Sequence, residues 1–368
     1  MLEQQWRRAL AALALVCAVV AIGACGGSDS DDGGGETTAG AGQAVQIDVG
    51  LDEPIEVTTR RPRIAWFGAL GAAYVQAQAD GMKDEAERLG LDLTIFDSKL
   101  DPLVQMQQVQ NAMQKGGFDA FVADPFDGNA MCPVLSRDAP EAGIVVVTAA
   151  VTMCDHVRVD EGDDSWSPGT LTQVGNQNGL NVMRQYLDEV DGRRDDGRRH
   201  VGVLLVGPPL NPSTIATKEA LKQAQAEGAM RNVDVKYVVD TNFTTPDGLA
   251  KTQTLLQAHP EIDTILSQYS DITLGAIQAV QKAGLRGKVL IYDQGASRQS
   301  VEAVKDGSLE MTTAYHPYRI GVESVRAVYD AFNGRRVPRF IAAGVEGESL
   351  GRHLIVDETN VDTFEPEY

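Results

Sequence analysis

Ile144-Val145-Val146-Val147-Thr148 is apolar and β-branched with no polar residue until its end. A strand with one wet face alternates apolar and polar side chains, whereas a strand covered on both faces reads apolar throughout, as in parallel sheets flanked by helices. Upstream, strand-length apolar runs recur at Ile64–Phe67, Leu93–Phe96 and Ala120–Ala123. Downstream they recur at Val201–Val206, Val233–Val239, Thr264–Leu266, Val289–Tyr292 and Met311–Ala314. Stretches at helical spacing separate them: Val75–Leu89, Leu103–Lys115, Asn129–Ala142, Gly179–Glu189, Thr214–Gly228, Leu249–Ala258, Thr273–Ala283, Gln299–Lys305 and Tyr318–Phe332. Strands alternating with helices predict an α/β fold built on parallel sheets.

Local chemistry agrees with that division. Asp101-Pro102 offers an N-cap followed by proline at the first helical position, and Thr245-Pro246-Asp247 does the same. Gly90, Gly116-Gly117, Gly228 and Gly284 fall where helices end, and a left-handed C-cap favours glycine there. Four strand–helix units run from Ile64 to about Ala150; then the irregular DEGDDSWSPGTLT, Asp160 to Thr172, interrupts the rhythm before a second series. The expectation is two doubly wound parallel-sheet lobes with a cleft between them. Ligands of such sheets sit beyond the carboxyl ends of the strands.

The start of the chain reads differently. Arg7 and Arg8 precede an apolar run from Ala9 to Ile22, and Ile22-Gly23-Ala24 stands before Cys25. A charged start, a short apolar stretch and small residues before a cut form a secretory signal. The last four residues resemble a bacterial lipobox, in which the cysteine is acylated. The other reading is a single spanning anchor, although about 14 apolar residues is short for the roughly 20 a bilayer needs. Residues 1–24 are thus expected to be a lipoprotein signal peptide, and residues 25–60 the acylated Cys25 with a small, acidic, flexible linker. Of four cysteines, Cys17 leaves with the signal and Cys25 takes the lipid. Cys132 and Cys154 remain, either as a disulfide suited to an oxidising compartment or as two separate buried thiols.

The formal net charge is −20; residues 1–24 contribute +1 (Arg7 and Arg8 against Glu3), leaving −21 beyond them. That acidity argues against nucleic acid, which calls for a basic face. Hydrophobic residues make up 43% of the chain, enough for a sizeable core.

Five segments in order resemble the periplasmic sugar-binding proteins of the ribose-binding type, the exported receptors of ATP-driven (ABC) importers. They are DGMKDEAERLGLDLTIFDSKLDP (Asp80–Pro102), GGFDAFVADPFDGNA (Gly116–Ala130), LLQAHPEIDTILSQYSDITLGAIQAVQKAG (Leu255–Gly284), VLIYDQG (Val289–Gly295) and YHPYRIGVESV (Tyr315–Val325). The resemblance spans roughly Arg63 to Asp357. It implies a type I periplasmic binding protein fold with a three-crossing hinge. One lobe would hold residues 61–172 and 316–343, the other 173–315 and 344–368. It further implies hinge closure on a small-molecule ligand, a sugar or polyol delivered to an ABC permease by a monomer, and no cofactor or metal.

The same resemblance, with strand-edge positions, nominates the ligand contacts. Tyr74 opens the first helix, where an aromatic ring meets the sugar; it could instead be a core residue. Asp124 and Asp127 follow the third strand, and a carboxylate can accept two hydroxyls at once; Asp127 could equally cap the next helix. Asp293 ends its strand at the cleft edge, facing Tyr74 across it. Tyr269 and Asp271 follow the strand Thr264–Leu266, with Asp271 also a candidate cap. Tyr315 and His316 sit at the returning hinge. Trp166 is either a stacking platform or a surface plug, and Asn176 and Asn178 either contacts or caps. The chain departs from the family where an Asp-Arg clamp is expected: it reads Thr148-Ala149-Ala150-Val151, has Ile215, Ala216 and Thr217 in place of a second arginine, and has Ala72 in place of an asparagine. Tyrosines and carboxylates remain, a set able to bind a polyol or, through cation–π contact, a cationic or aromatic solute.

Other functions fit poorly. The five histidines lack metal-ligand spacing, and no nucleophile elbow or phosphate loop is present. A repressor sharing the two-lobed domain would need a basic helix-turn-helix where the signal and acidic linker stand. A ligand-presenting partner of a membrane sensor would need the same closed shape as an importer's receptor.

Overall fold

Each of the nine apolar runs becomes a parallel strand, and the runs divide between two six-stranded sheets. The computed structural model describes residues 44–156, 166–175, 179–344 and 354–368. In chain order the strands are β1 (Val45–Ile47), β2 (Ile55–Val57), β3 (Ile64–Gly68), β4 (Leu93–Asp97), β5 (Ala120–Ala123), β6 (Val145–Ala149), β7 (Thr172–Gly175), β8 (His200–Val206), β9 (Val233–Asp240), β10 (Thr264–Ser267), β11 (Leu290–Gly295), β12 (Met311–Ala314), β13 (Phe340–Ala342) and β14 (Ile355–Asp357). The helices are α1 (Ala73–Leu89), α2 (Pro102–Lys115), α3 (Gly128–Pro133), α4 (Ala139–Glu141), α5 (Gly179–Arg193), α6 (Pro212–Ala226), α7 (Thr245–Ala258), α8 (Ser270–Lys282), α9 (Arg298–Lys305) and α10 (Pro317–Phe332).

The first sheet runs β13-β7-β6-β5-β3-β4 and the second β14-β12-β11-β10-β8-β9. All pairings within them are parallel except β12 with β14. Each sheet reverses its order once, between β3 and β5 in the first and between β8 and β10 in the second. Those are the switch points where the flanking loops diverge and leave a crevice. The first sheet runs on through Gly175, and its outer strand β13 comes from after α10. Side chains of β3, β5 and β6 are wholly buried, Trp66 and Phe67 among the largest; Phe67 stacks on Phe96 at 5.0 Å and meets Phe121 edge-on at 5.1 Å.

Helices α1 and α10 lie side by side on the first sheet, and glycine sets how close they come. A Cβ on Gly81 would stand 2.1 Å from the Tyr318 carbonyl oxygen, and one on Gly321 2.0 Å from that of Gln78. The single helix expected over Asn129–Ala142 is broken into α3, a π-helical turn at Val134–Asp138, and α4. Pro133 and Pro140 each lack an N–H, so the regular ladder cannot run through them. Asp101 caps α2, accepting from the Leu103 and Val104 N–H groups at 2.8 and 3.2 Å.

Residues beyond β14 return to the hinge. Glu367 accepts from the Tyr318 N–H at 2.9 Å and pairs with Arg319 at 3.2 Å, serving as the cap that α10 lacks locally. The Tyr368 ring lies edge-on to Tyr74 at 5.8 Å, and its carbonyl accepts from the Arg298 N–H at 2.6 Å. Cys132 and Cys154 are bonded (S–S 2.04 Å), tying α3 to the loop after β6. Cys25, Asn176 and Asn178 fall outside the described residues.

A candidate ligand site between the two sheets

Loops at the carboxyl ends of both sheets enclose a cavity of about 160 Å³. The first sheet contributes Ala72 and Tyr74 after β3, Asp124 and Phe126 after β5, and Val151, Thr152 and His156 after β6. The second contributes Asn211, Pro212 and Ser213 after β8, Phe243 after β9, Gln268 and Tyr269 after β10, and Tyr315 after β12. The two switch points therefore face each other across it. An apolar cavity of about 150 Å³ holds a benzene ring, so this one suits a single six-membered ring.

Aromatic rings dominate the walls. Tyr74 stands edge-on to Tyr269 at 6.2 Å and to Tyr315 at 6.1 Å, and Phe243 is edge-on to Tyr269 at 5.3 Å. Phe243 sits over Gly207, where any Cβ would lie within 1.9 Å of its ring. The Tyr315 hydroxyl is 3.2 Å from Gln294 Oε1.

Asp124 is the one carboxylate lining this cavity among the described residues. It is 8% exposed, and its carboxyl oxygens have no hydrogen bond or ion pair among the described residues. Gln105 holds the backbone in place: its amide donates to the Asp124 carbonyl at 2.8 Å, and its Oε1 accepts from the Phe126 N–H at 3.0 Å. Burial lifts the Asp124 carboxyl to about 7.

The other nominated residues divide. Tyr269 and Tyr315 line the cavity with Tyr74 and Asp124. Asp127 does not; it caps α3, accepting from the Ala130 N–H at 2.9 Å. Asp293 is fully buried behind the wall, where the hydroxyls of Ser270 (3.1 Å), Thr312 (2.8 Å) and Thr273 donate to it; burial lifts its carboxyl to about 6. It is not among the residues that line the cavity with Tyr74, whose ring packs edge-on against Tyr368 instead. His316 is buried beside Glu367 at 3.4 Å. Trp166 is not among the lining residues; it lies under the Arg339 guanidinium at 4.2 Å and donates to the Thr170 carbonyl at 2.8 Å.

Three groups escaped the sequence reading. Phe126 and Phe243 follow strand ends, so the edge rule pointed to their positions, but aromatic residues in short loops carry no period. Tyr368 had no signal at all. Asp271, expected as a ligand contact beside Tyr269 or as a cap, is not among the lining residues and instead reaches the other lobe. Burial raises its carboxyl, partly offset by the Tyr269 hydroxyl and by the Ala73 N–H that starts α1. Helix α1 has no side-chain cap of its own, so its positive end meets a carboxylate from the opposite lobe.

The family model for the periplasmic binding protein domain matches residues 67–336. The ribose import binding protein of Bacillus subtilis is 25% identical over 273 residues, 73% of this chain and 81% of that protein. The fructose import binding protein of Bifidobacterium longum is 24% identical over 340 residues, 92% of this chain and 93% of its own. Among solved structures, an ABC transporter solute-binding protein from Bacillus halodurans with bound myo-inositol superposes with a TM-score of 0.70 at 21% identity, covering 85% of this chain and 100% of that one.

Proposed function

The chain belongs to the periplasmic binding protein domain family, and on that premise we propose that it is an extracytoplasmic receptor that captures a ring-sized sugar or polyol and delivers it to an ABC importer. Solute binding, not catalysis, is its task. The observation that carries this reading is the cavity itself: one ring in volume, closed by loops from the switch points of two separate sheets. A site made half by each lobe is completed only when the lobes meet, so ligand binding and closure are one equilibrium. The ligand supplies the differential affinity, and the closed shape is what a permease can read.

In this reading Tyr74, Tyr269 and Tyr315 pack against the ring while Asp124 takes its strongest donor. Cys25 carries the lipid, the residues from there to about 44 are the tether, and the molecule works as a monomer outside the membrane. Strands β1 and β2 fold the rest of the expected 25–60 linker into a hairpin whose Ile47, Val49, Ile55 and Val57 join the core. Segments 61–175 with 316–343, and 179–315 with 344–368, move as the two bodies, because β7 carries the first sheet past the expected boundary at 172.

Isothermal titration of the full chain with ribose, fructose, allose, myo-inositol and glycerol tests the proposal. Saturable one-to-one binding of at least one, lost in Tyr74→Ala, is the expected result. Failure of the folded protein to bind any ring-sized sugar, polyol or derivative overturns it. Metabolic labelling with a fatty acid checks the anchor: label should enter the wild type and not Cys25→Ser.

A further inference from the structure

On the second-lobe side of the cavity wall several polar groups are spent on one another. Asn211 Oδ1 accepts from both the Ser213 N–H (3.0 Å) and the Ser213 hydroxyl (2.5 Å). Gln268 donates to Ser213 Oγ at 2.9 Å, and its Oε1 accepts from the Gly207 N–H at 3.0 Å and the Thr214 hydroxyl at 3.3 Å. Gln173 Oε1 accepts from the Thr148 hydroxyl. A hydroxyl pointed at this network would find its acceptors already taken and would go unpaired, at a cost. Asp124 is the opposite case: a buried carboxylate with no donor among the described residues, in a wall of aromatic faces. No lysine or arginine lines the cavity among the described residues.

We propose that the solute is an aminated member of the ring-sized class, a six-membered ring with few hydroxyls and one protonated amine, for which Asp124 is the counter-ion. An ammonium gives the carboxylate a charge-assisted hydrogen bond. The electron-rich faces of the tyrosines and phenylalanines favour the same cation. The ring's apolar edges need no partners from Asn211, Ser213 or Gln268. The inference rests on the reading of the cavity as a solute site, and it names which solute.

The test is isothermal titration of the full chain with a matched pair, trans-4-aminocyclohexanol and trans-cyclohexane-1,4-diol, alongside D-glucosamine with D-glucose and myo-inositol alone. Charged hydrogen bonds exceed neutral ones by enough to predict about a tenfold preference for each amine over its hydroxyl counterpart. Asp124→Asn should abolish that preference while its thermal unfolding shows a folded protein. The wild type supplies a second readout: affinity for trans-4-aminocyclohexanol, whose ammonium stays charged throughout, should rise between pH 5.5 and 8 as the Asp124 carboxyl ionises, and affinity for the diol should not. His156 and the tyrosines Tyr74, Tyr269 and Tyr315 share the cavity with Asp124; a pH profile that persists in D124N belongs to one of these other groups and overturns the assignment. Equal binding of amine and hydroxyl partners, with the ratio unchanged in D124N, sinks this inference and leaves sugar or polyol capture standing. If neither these compounds nor the sugars and polyols of the first titration bind, both readings fall.

Discussion

Replacing Asp124 with asparagine should make the ligand-free protein more stable, and increasingly so as pH rises. The Asp124 carboxyl titrates at about 7 in the folded chain against an ordinary 3.8, and every tenfold change in proton affinity corresponds to about 1.36 kcal/mol. An acid with a raised folded pKa favours the native state fully below the unfolded value, and that contribution is lost as pH climbs through about 7. By pH 8 the wild type should have lost about 4 kcal/mol that asparagine, which cannot ionise, retains. Roughly 2 to 3 kcal/mol of the loss falls between pH 5 and pH 8. Asp293, raised to about 6, and Asp271, also raised, titrate in both proteins and cancel in the difference. The assay is urea unfolding of both proteins at the two pH values without ligand. A gap that is the same at pH 5 and pH 8 would refute the reasoning, because it would mean Asp124 is solvated like a surface carboxylate.

Removing the Cys132–Cys154 bond by double serine substitution frees a loop of 22 residues and should cost about 3 kcal/mol, read from the denaturant midpoint; identical midpoints with and without reductant in the wild type would count against it. Gly81→Ala should cost more than about 2 kcal/mol, since the new methyl meets backbone that neither α1 nor α10 can move alone; a melting temperature within a degree of wild type would show that the helices are not in contact there. Tyr368→Ala should cost about 2 kcal/mol by removing a ring packed on Tyr74, and should let water reach Asp293 so that its titration falls from about 6 toward 4. Carboxyl NMR reads that change, and an unmoved Asp293 would place the seal elsewhere.

Strands and helices were legible because burial on two faces writes itself into consecutive residues, as Ile144–Thr148 and the runs around it show. Strands β7, β13 and β14 were not, being three or four residues long and completed only by neighbours distant in sequence. The site was half legible for a related reason. Tyr74, Asp124, Tyr269 and Tyr315 follow strand ends at the cleft, and position alone brings them there. Asp293 also ends a strand, but hydroxyls from α8 and β12 turn it inward, and no local pattern announces that Ser270, Thr273 and Thr312 converge. Trp166 is claimed by Arg339 from the far end of the chain. Asp127 shows the limit of a single residue type, because the same carboxylate serves a cap or a ligand equally well.

The returning residues Glu367 and Tyr368 have a thermodynamic consequence. They leave the second sheet, cap α10 on the first lobe, and set a ring against Tyr74 at the head of α1. Neither lobe can melt without stripping contacts from the other. Two bodies of this size joined only by hinge strands would unfold as separate steps, each with its own enthalpy. Stitched in this way, they should give one heat-capacity peak whose calorimetric and van't Hoff enthalpies agree, a single cooperative unit made from two cores.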